Sequence, residues 1–62
     1  MTEYQNLPND PAMLLSFVNT QLRDNYPSFS ELVAAFYADA DAITEKLKMI
    51  DYEYDETQNQ FV

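Results

Sequence analysis

The chain has 62 residues, 47% of them hydrophobic, and its eleven acidic residues against three basic ones give a formal net charge of −8. It contains no cysteine and no histidine, which excludes disulfides, thiolate metal sites, a cysteine nucleophile and the commonest general base. No apolar run reaches the roughly 18 residues that span a bilayer, and no signal-peptide pattern is present, so we expect a cytoplasmic protein.

The first six residues are polar, and we expect this stretch, residues 1–6, to be a frayed N-terminus. Leu7 and Pro8 are expected to form an extended lead-in, because proline disfavours helical geometry in the residue before it. Tyr4 and Leu7 have apolar surface that can pack against the first helix, but no pattern in the sequence places them there.

A first helix is predicted over residues 10–26, the longest periodic segment of the chain. Asp10 followed by Pro11 is typical of a helix start, because the Asp side chain accepts from first-turn N–H groups and proline has no N–H to leave unpaired. Pro27 cannot continue the helix. The main apolar face carries, at helical spacing, Leu14, Leu15, Val18, Leu22 and Tyr26.

A second helix is predicted over residues 28–38. Ser28 and Glu31 form a capping-box pattern, in which the serine accepts from the glutamate N–H and the glutamate side chain bonds back to the serine N–H. Phe36 of this helix and Leu22 of the first are expected to be among the most buried side chains.

A third helix is predicted over residues 39–50, after a connection of the length used in helix-turn-helix motifs. Asp39 is preferred to Asp41 as its cap, because an apolar stripe then faces the core. After the helix, Asp51 stands where a left-handed residue is wanted, and the chain has no glycine to place there. The stripe consists of Ala40, Ile43, Leu47 and Ile50.

The tail changes from helical periodicity to alternation, which predicts a β-hairpin over residues 52–62. Tyr52 and Tyr54 are expected on one face of it. An isolated hairpin is marginally stable in water, so this one should lie on the helices. Met13 and Phe17 form a second apolar stripe on the first helix, and we expect the hairpin to cover that stripe.

The order of elements predicts a mainly α-helical single domain at residues 7–62, a three-helix, helix-turn-helix-like fold with a C-terminal β-hairpin that is winged-helix-like. Two stretches, LPNDPAMLLSFVNTQLRDNYPSFSEL and KLKMIDYEYDETQNQFV, resemble an uncharacterised family of small bacterial proteins, domain of unknown function 4250. The most specific parts are DPAMLLSFVNTQLRD and YEYDETQNQF, and Asp51 stands where family members carry glycine. The resemblance implies a fold and a bacterial source, and it brings no activity.

The aspartates and glutamates of the turns are candidate calcium ligands, as the pair Asp39 and Asp41 or the set Asp51, Glu53 and Asp55. The loop spacing and central glycine of a calcium loop are missing, and helix capping and solvated charge account for these residues better. We therefore expect no metal site and no cofactor.

In a DNA-binding helix-turn-helix domain the third helix reads the major groove. Here Asp41 and Glu45 of that helix would meet phosphate with like charge, and the basic residues are limited to Arg23, Lys46 and Lys48. We expect neither nucleic acid nor a membrane surface as a partner, because both are anionic.

Two classes of function remain. The favoured one is a small acidic protein-interaction module without catalytic activity, and the alternative is a degenerate helix-turn-helix nucleic-acid-binding or regulatory domain. The interaction surface is expected around Met13, Phe17, Tyr52 and Tyr54. We expect a protein partner with a basic or apolar surface, and a chain that is itself a monomer or a weak homodimer.

Overall fold

The computed structural model describes residues 7–62, which form three α-helices followed by a two-stranded antiparallel hairpin, as the sequence predicts. The elements are α1 (Pro11–Asp24), α2 (Phe29–Phe36), α3 (Ala40–Lys48), β1 (Tyr54–Asp55) and β2 (Gln60–Phe61). The frayed N-terminus predicted at residues 1–6 and the packing of Tyr4 lie outside the described residues.

Each helix begins directly after its predicted cap, and each cap oxygen accepts from backbone N–H groups of the first turn. The bonds run from Met13 N to Asp10 Oδ2 (3.1 Å), from Glu31 N to Ser28 Oγ (3.2 Å), and from Asp41 N and Ala42 N to Asp39 Oδ1 (3.0 and 3.3 Å). Only the forward half of the expected capping box is formed: within residues 7–62, no bond returns from the Glu31 side chain to Ser28.

The helices end earlier than periodicity predicts, at Asp24, Phe36 and Lys48. The backbone leaves helical geometry directly after α1 and α2, whereas Met49 keeps it and a turn with i to i+3 hydrogen bonds follows α3. Tyr37 takes a left-handed conformation (φ 53°) directly after α2. Asp51 does the same (φ 68°) after a short turn that follows α3, which confirms that a left-handed residue is required there. Without glycine, these positions carry side chains that are sterically disfavoured in left-handed geometry.

The core lies between the three helices and β2. Leu22 is buried as predicted, but Phe36 is only half-buried, because it is the last residue of α2 and its ring lies at the rim, edge-on to Phe17 and Tyr26 at centroid distances of 5.6 and 5.8 Å. Among the aromatic residues that the structure describes, Phe61 is the fully buried one. The buried side chains are Leu14, Val18, Leu22, Leu32, Ile43, Leu47 and Phe61.

The hairpin docks on α1, but not on the stripe expected for it. Its register pairs Tyr54 with Phe61, and the Phe61 ring packs edge-on to Phe29 with centroids 5.1 Å apart. Met13 stays 63% exposed, and Phe17 is half-covered by the Phe36 ring of α2. The predicted docking surface was wrong because Phe61 enters the core at the α1–α2 junction.

Phe61→Ala should lower the free energy of unfolding by about 3–5 kcal/mol, because it removes a fully buried ring from the centre of the core. Phe36→Ala should cost less, because part of that ring already faces solvent. Urea unfolding followed by circular dichroism compares the two, and Phe61→Leu, which keeps most of the apolar volume, is the control. A larger loss for Phe36→Ala would contradict this core.

Asp51→Gly should stabilise the domain by about 1 kcal/mol, because glycine adopts positive φ without the steric cost that other residues carry. Asp51→Asn removes the same negative charge but keeps a branched polar side chain, so it isolates the effect of charge. Thermal unfolding of the two variants gives the comparison. A Gly variant that melts no higher than the parent would show that the backbone at this position stores no strain.

Candidate functional site

One asparagine of α1 closes the outer edge of β2. Asn19 Oδ1 accepts from the backbone N–H of Phe61 at 2.9 Å, and Asn19 Nδ2 donates to the Phe61 C=O at 3.1 Å. Glu53 and Val62 exchange ladder bonds of 2.9 and 2.8 Å, so the alternation of an antiparallel ladder directs the Phe61 groups away from β1. The Asn19 amide therefore occupies the position that a neighbouring strand would take.

A second asparagine ties the hairpin turn to the end of α1. Asn59 Nδ2 donates to the backbone C=O of Leu22 at 3.1 Å and of Tyr26 at 3.0 Å, while Asn59 Oδ1 accepts from the Tyr54 hydroxyl at 2.7 Å. The Tyr54 oxygen in turn accepts from the backbone N–H of Phe29 at 3.2 Å. Asn59 has φ 53°, a conformation that asparagine tolerates better than most residues. This network joins both ends of the α1–α2 connection to the hairpin.

The four residues predicted to form an interaction surface have different surroundings in the structure. Phe17 packs on Phe36, whereas Tyr54 belongs to the ring cluster of the hairpin, with centroid distances of 5.4 Å to both of its neighbours there. Met13 and Tyr52 reach solvent, with exposed fractions of 63% and 36%. Phe17 and Tyr54 thus have structural contacts that leave them only partly available to a partner.

The single arginine of the chain is already engaged by a neighbouring carboxylate. Arg23 Nε donates to Asp24 Oδ1 at 2.9 Å and Arg23 Nη2 donates to Asp24 Oδ2 at 3.1 Å. These hydrogen bonds raise the pKa of Arg23 and lower the pKa of Asp24. The two side chains are 74% and 49% exposed, so salt screens this pair and it adds little to stability.

Carboxylates gather along the hairpin and the turn that precedes it. They line an open groove of about 710 Å³, which we call the acidic groove; its residues are Lys48, Asp51, Glu53, Tyr54, Asp55, Glu56 and Val62. Asp55 accepts from Gln58 Nε2 at 3.0 Å and from Thr57 N at 2.9 Å, and the bond from Gln58 is the main cause of its lowered pKa. The groove therefore presents four carboxyl groups beside one ammonium group.

Within residues 7–62, no group of three or more acidic side chains is arranged to hold a metal ion. None of the three helices is long and apolar enough to cross a membrane.

Sequence reasoning missed both asparagines that position the hairpin. Asn19 lies among the polar residues of α1 in the periodicity pattern, and its partner is 42 positions away in the chain, so no local signal identifies it. Asn59 had a weak signal, because a chain without glycine favours asparagine where a hairpin turn needs positive φ.

Comparison with known proteins identifies one family. A family model described as domain of unknown function (DUF4250) matches residues 8–61, a range that includes all three helices and both strands. No curated protein and no solved structure matches the chain.

Asn59→Gly should lower the free energy of unfolding by about 2–3 kcal/mol, because it removes three hydrogen bonds while keeping the freedom to adopt positive φ. Asn59→Ala should cost about 1 kcal/mol more, since alanine adds steric strain at that conformation. Urea unfolding of both variants beside the parent measures these differences. A Gly variant as stable as the parent would show that the network does not hold the hairpin.

Proposed function

Because the chain belongs to the DUF4250 family, whose description assigns no activity, we propose a function from the structure: a small acidic protein-interaction module without catalytic activity, with a basic protein surface as its partner. Of the two partner chemistries expected from the sequence, a basic surface has the better support. Phe17 and Tyr54, half of the predicted apolar surface, are packed in ring contacts, whereas the carboxylates stay at the surface.

The observation that carries the proposal is the state of the helix N-termini. Free N–H groups in the first turn of a helix commonly bind phosphate, and in helix-turn-helix domains they contribute contacts to the DNA backbone. In each of the three helices, one or two of these groups already donate to the side-chain oxygen of the cap residue. Two of the three caps, Asp10 and Asp39, are carboxylates, which would place negative charge where a phosphate has to approach.

The alternative, a degenerate helix-turn-helix nucleic-acid-binding or regulatory domain, rests on the three-residue connection between α2 and α3. On the helix that would enter the groove, Asp41 and Glu45 are exposed, and Lys48 is the one exposed basic residue of α3. Phosphate contacts dominate the affinity of such domains, so this charge distribution favours the interaction module.

The excess of exposed carboxylates favours association with a basic partner and opposes association of the chain with itself. It attracts positive surfaces over about one Debye length, roughly 10 Å at 0.1 M salt, and it accelerates encounter with them. It also opposes close approach of a second copy of the chain, which favours a monomer. We also propose that the protein is bacterial and is located in the cytoplasm, as expected from the sequence.

Fluorescence anisotropy with a labelled oligolysine peptide and a labelled random DNA duplex tests the proposal. The peptide should bind at low salt and dissociate as salt rises, and the duplex should not bind at any salt concentration, because it is repelled. An unrelated domain of equal net charge is the control, and the peptide must bind this protein more tightly than that control. Salt-sensitive binding of the duplex would favour the helix-turn-helix alternative instead, and peptide binding no tighter than the control would overturn the proposal.

A further inference from the structure

The two outer edges of the hairpin differ in the hydrogen bonds that their backbone groups make. The edge of β2 is closed, since both backbone groups of Phe61 are bonded to Asn19. The edge of β1 is open. Tyr54 and Phe61 face each other at a position of the ladder where no hydrogen bonds are exchanged, so the Phe61 groups point towards α1 and the Tyr54 N–H and C=O groups point away from the hairpin on the opposite side. Among residues 7–62, no hydrogen bond reaches these two Tyr54 backbone groups.

Tyr54, whose backbone groups form the open edge of β1, is also one of the residues that line the acidic groove. Glu53 and Asp55 flank Tyr54 in sequence, and with Asp51 and Glu56 they supply the carboxylates that line it. An unpaired strand edge offers main-chain hydrogen bonds to any extended segment, and the side chains beside it decide which segments are accepted.

We propose that the edge of β1 binds an extended basic segment of a partner protein, which adds to the hairpin as a third strand. This inference rests on the proposed function and gives it a location. The added strand would bond to Tyr54 N–H and C=O, and its lysine or arginine side chains would meet the carboxylates of the acidic groove.

A second copy of this chain does not fit the same edge. Pairing of two β1 edges would bring Glu53 and Asp55 of one copy beside the same residues of the other, and like charges on adjacent strands destabilise the pairing. The charge that attracts a basic strand therefore also prevents self-association through this edge.

The test uses a labelled peptide of alternating lysine and valine, measured by anisotropy with the whole chain at low salt. Two further versions carry N-methyl groups on the backbone nitrogens of either the lysines or the valines. In a β-strand only one of these sets faces the edge, so one version should lose about tenfold in affinity and the other should bind like the parent peptide. The backbone amide of Tyr54 should show the largest NMR shift on binding.

Protein variants give the matching evidence. Glu53→Gln and Glu56→Gln are nearly isosteric and remove one charge each from the acidic groove, so each should weaken binding about two- to fivefold. Asp41→Asn removes an exposed charge from the first turn of α3, at the other end of that helix from the groove, and should leave affinity unchanged. Unfolding midpoints of all three variants check that the fold is retained.

The outcomes separate this inference from the proposed function. Suppose that the peptide binds this protein more tightly than it binds the charge-matched control. If both sets of N-methyl groups then weaken binding equally, or if Asp41→Asn weakens it as much as Glu53→Gln, strand addition is overturned and an acidic interaction module is left. Binding no tighter than the control would overturn both.

Discussion

The docking of the hairpin on α1 is the constraint on which the rest of this structure depends. A two-stranded hairpin has too few internal contacts to persist in water, and three short helices enclose little core. Phe61 resolves both problems, because its buried ring completes the core while its backbone is bonded to Asn19. The last strand is thus part of the domain, and packing and hydrogen bonds make this closure in a chain that has no cysteine to form a disulfide.

The polar contacts at this junction explain how so small a core excludes alternatives. Apolar packing alone would let the hairpin slide along α1, since contacts between rings and aliphatic side chains are not directional. Asn19 and Asn59 impose direction, because each amide presents donors and an acceptor in fixed geometry to backbone groups of another element. The hydrogen bonds determine the register of the hairpin on the helices, and the burial of Phe61 stabilises it.

The sequence predicted what depends on neighbouring residues and failed where distant residues meet. Asp10, Ser28 and Asp39 were identified as caps because each acts within the first turn of its own helix. The left-handed geometry at Asp51 was equally local. Phe36 was placed too deep and the hairpin on the wrong surface, because the position of Phe61 is set by contacts that periodicity does not contain. The open edge of β1 could not be predicted for the same reason, because it depends on how the two strands pair and not on the types of residue in them.

The order of elements by itself does not distinguish between the two functions considered. A three-residue turn between α2 and α3 followed by a hairpin is compatible with a DNA-binding winged helix and with a module of another kind. The distribution of hydrogen-bond donors favours the proposed interaction module. One first-turn N–H group of α1 and two of α3 are bonded to cap carboxylates, while the edge of β1 leaves the Tyr54 N–H and C=O groups without a partner among residues 7–62, beside the carboxylates of the acidic groove. These features support the proposal that the hairpin, and not a helix N-terminus, binds the partner, and that a basic strand is the ligand whose hydrogen bonds and charge match that edge.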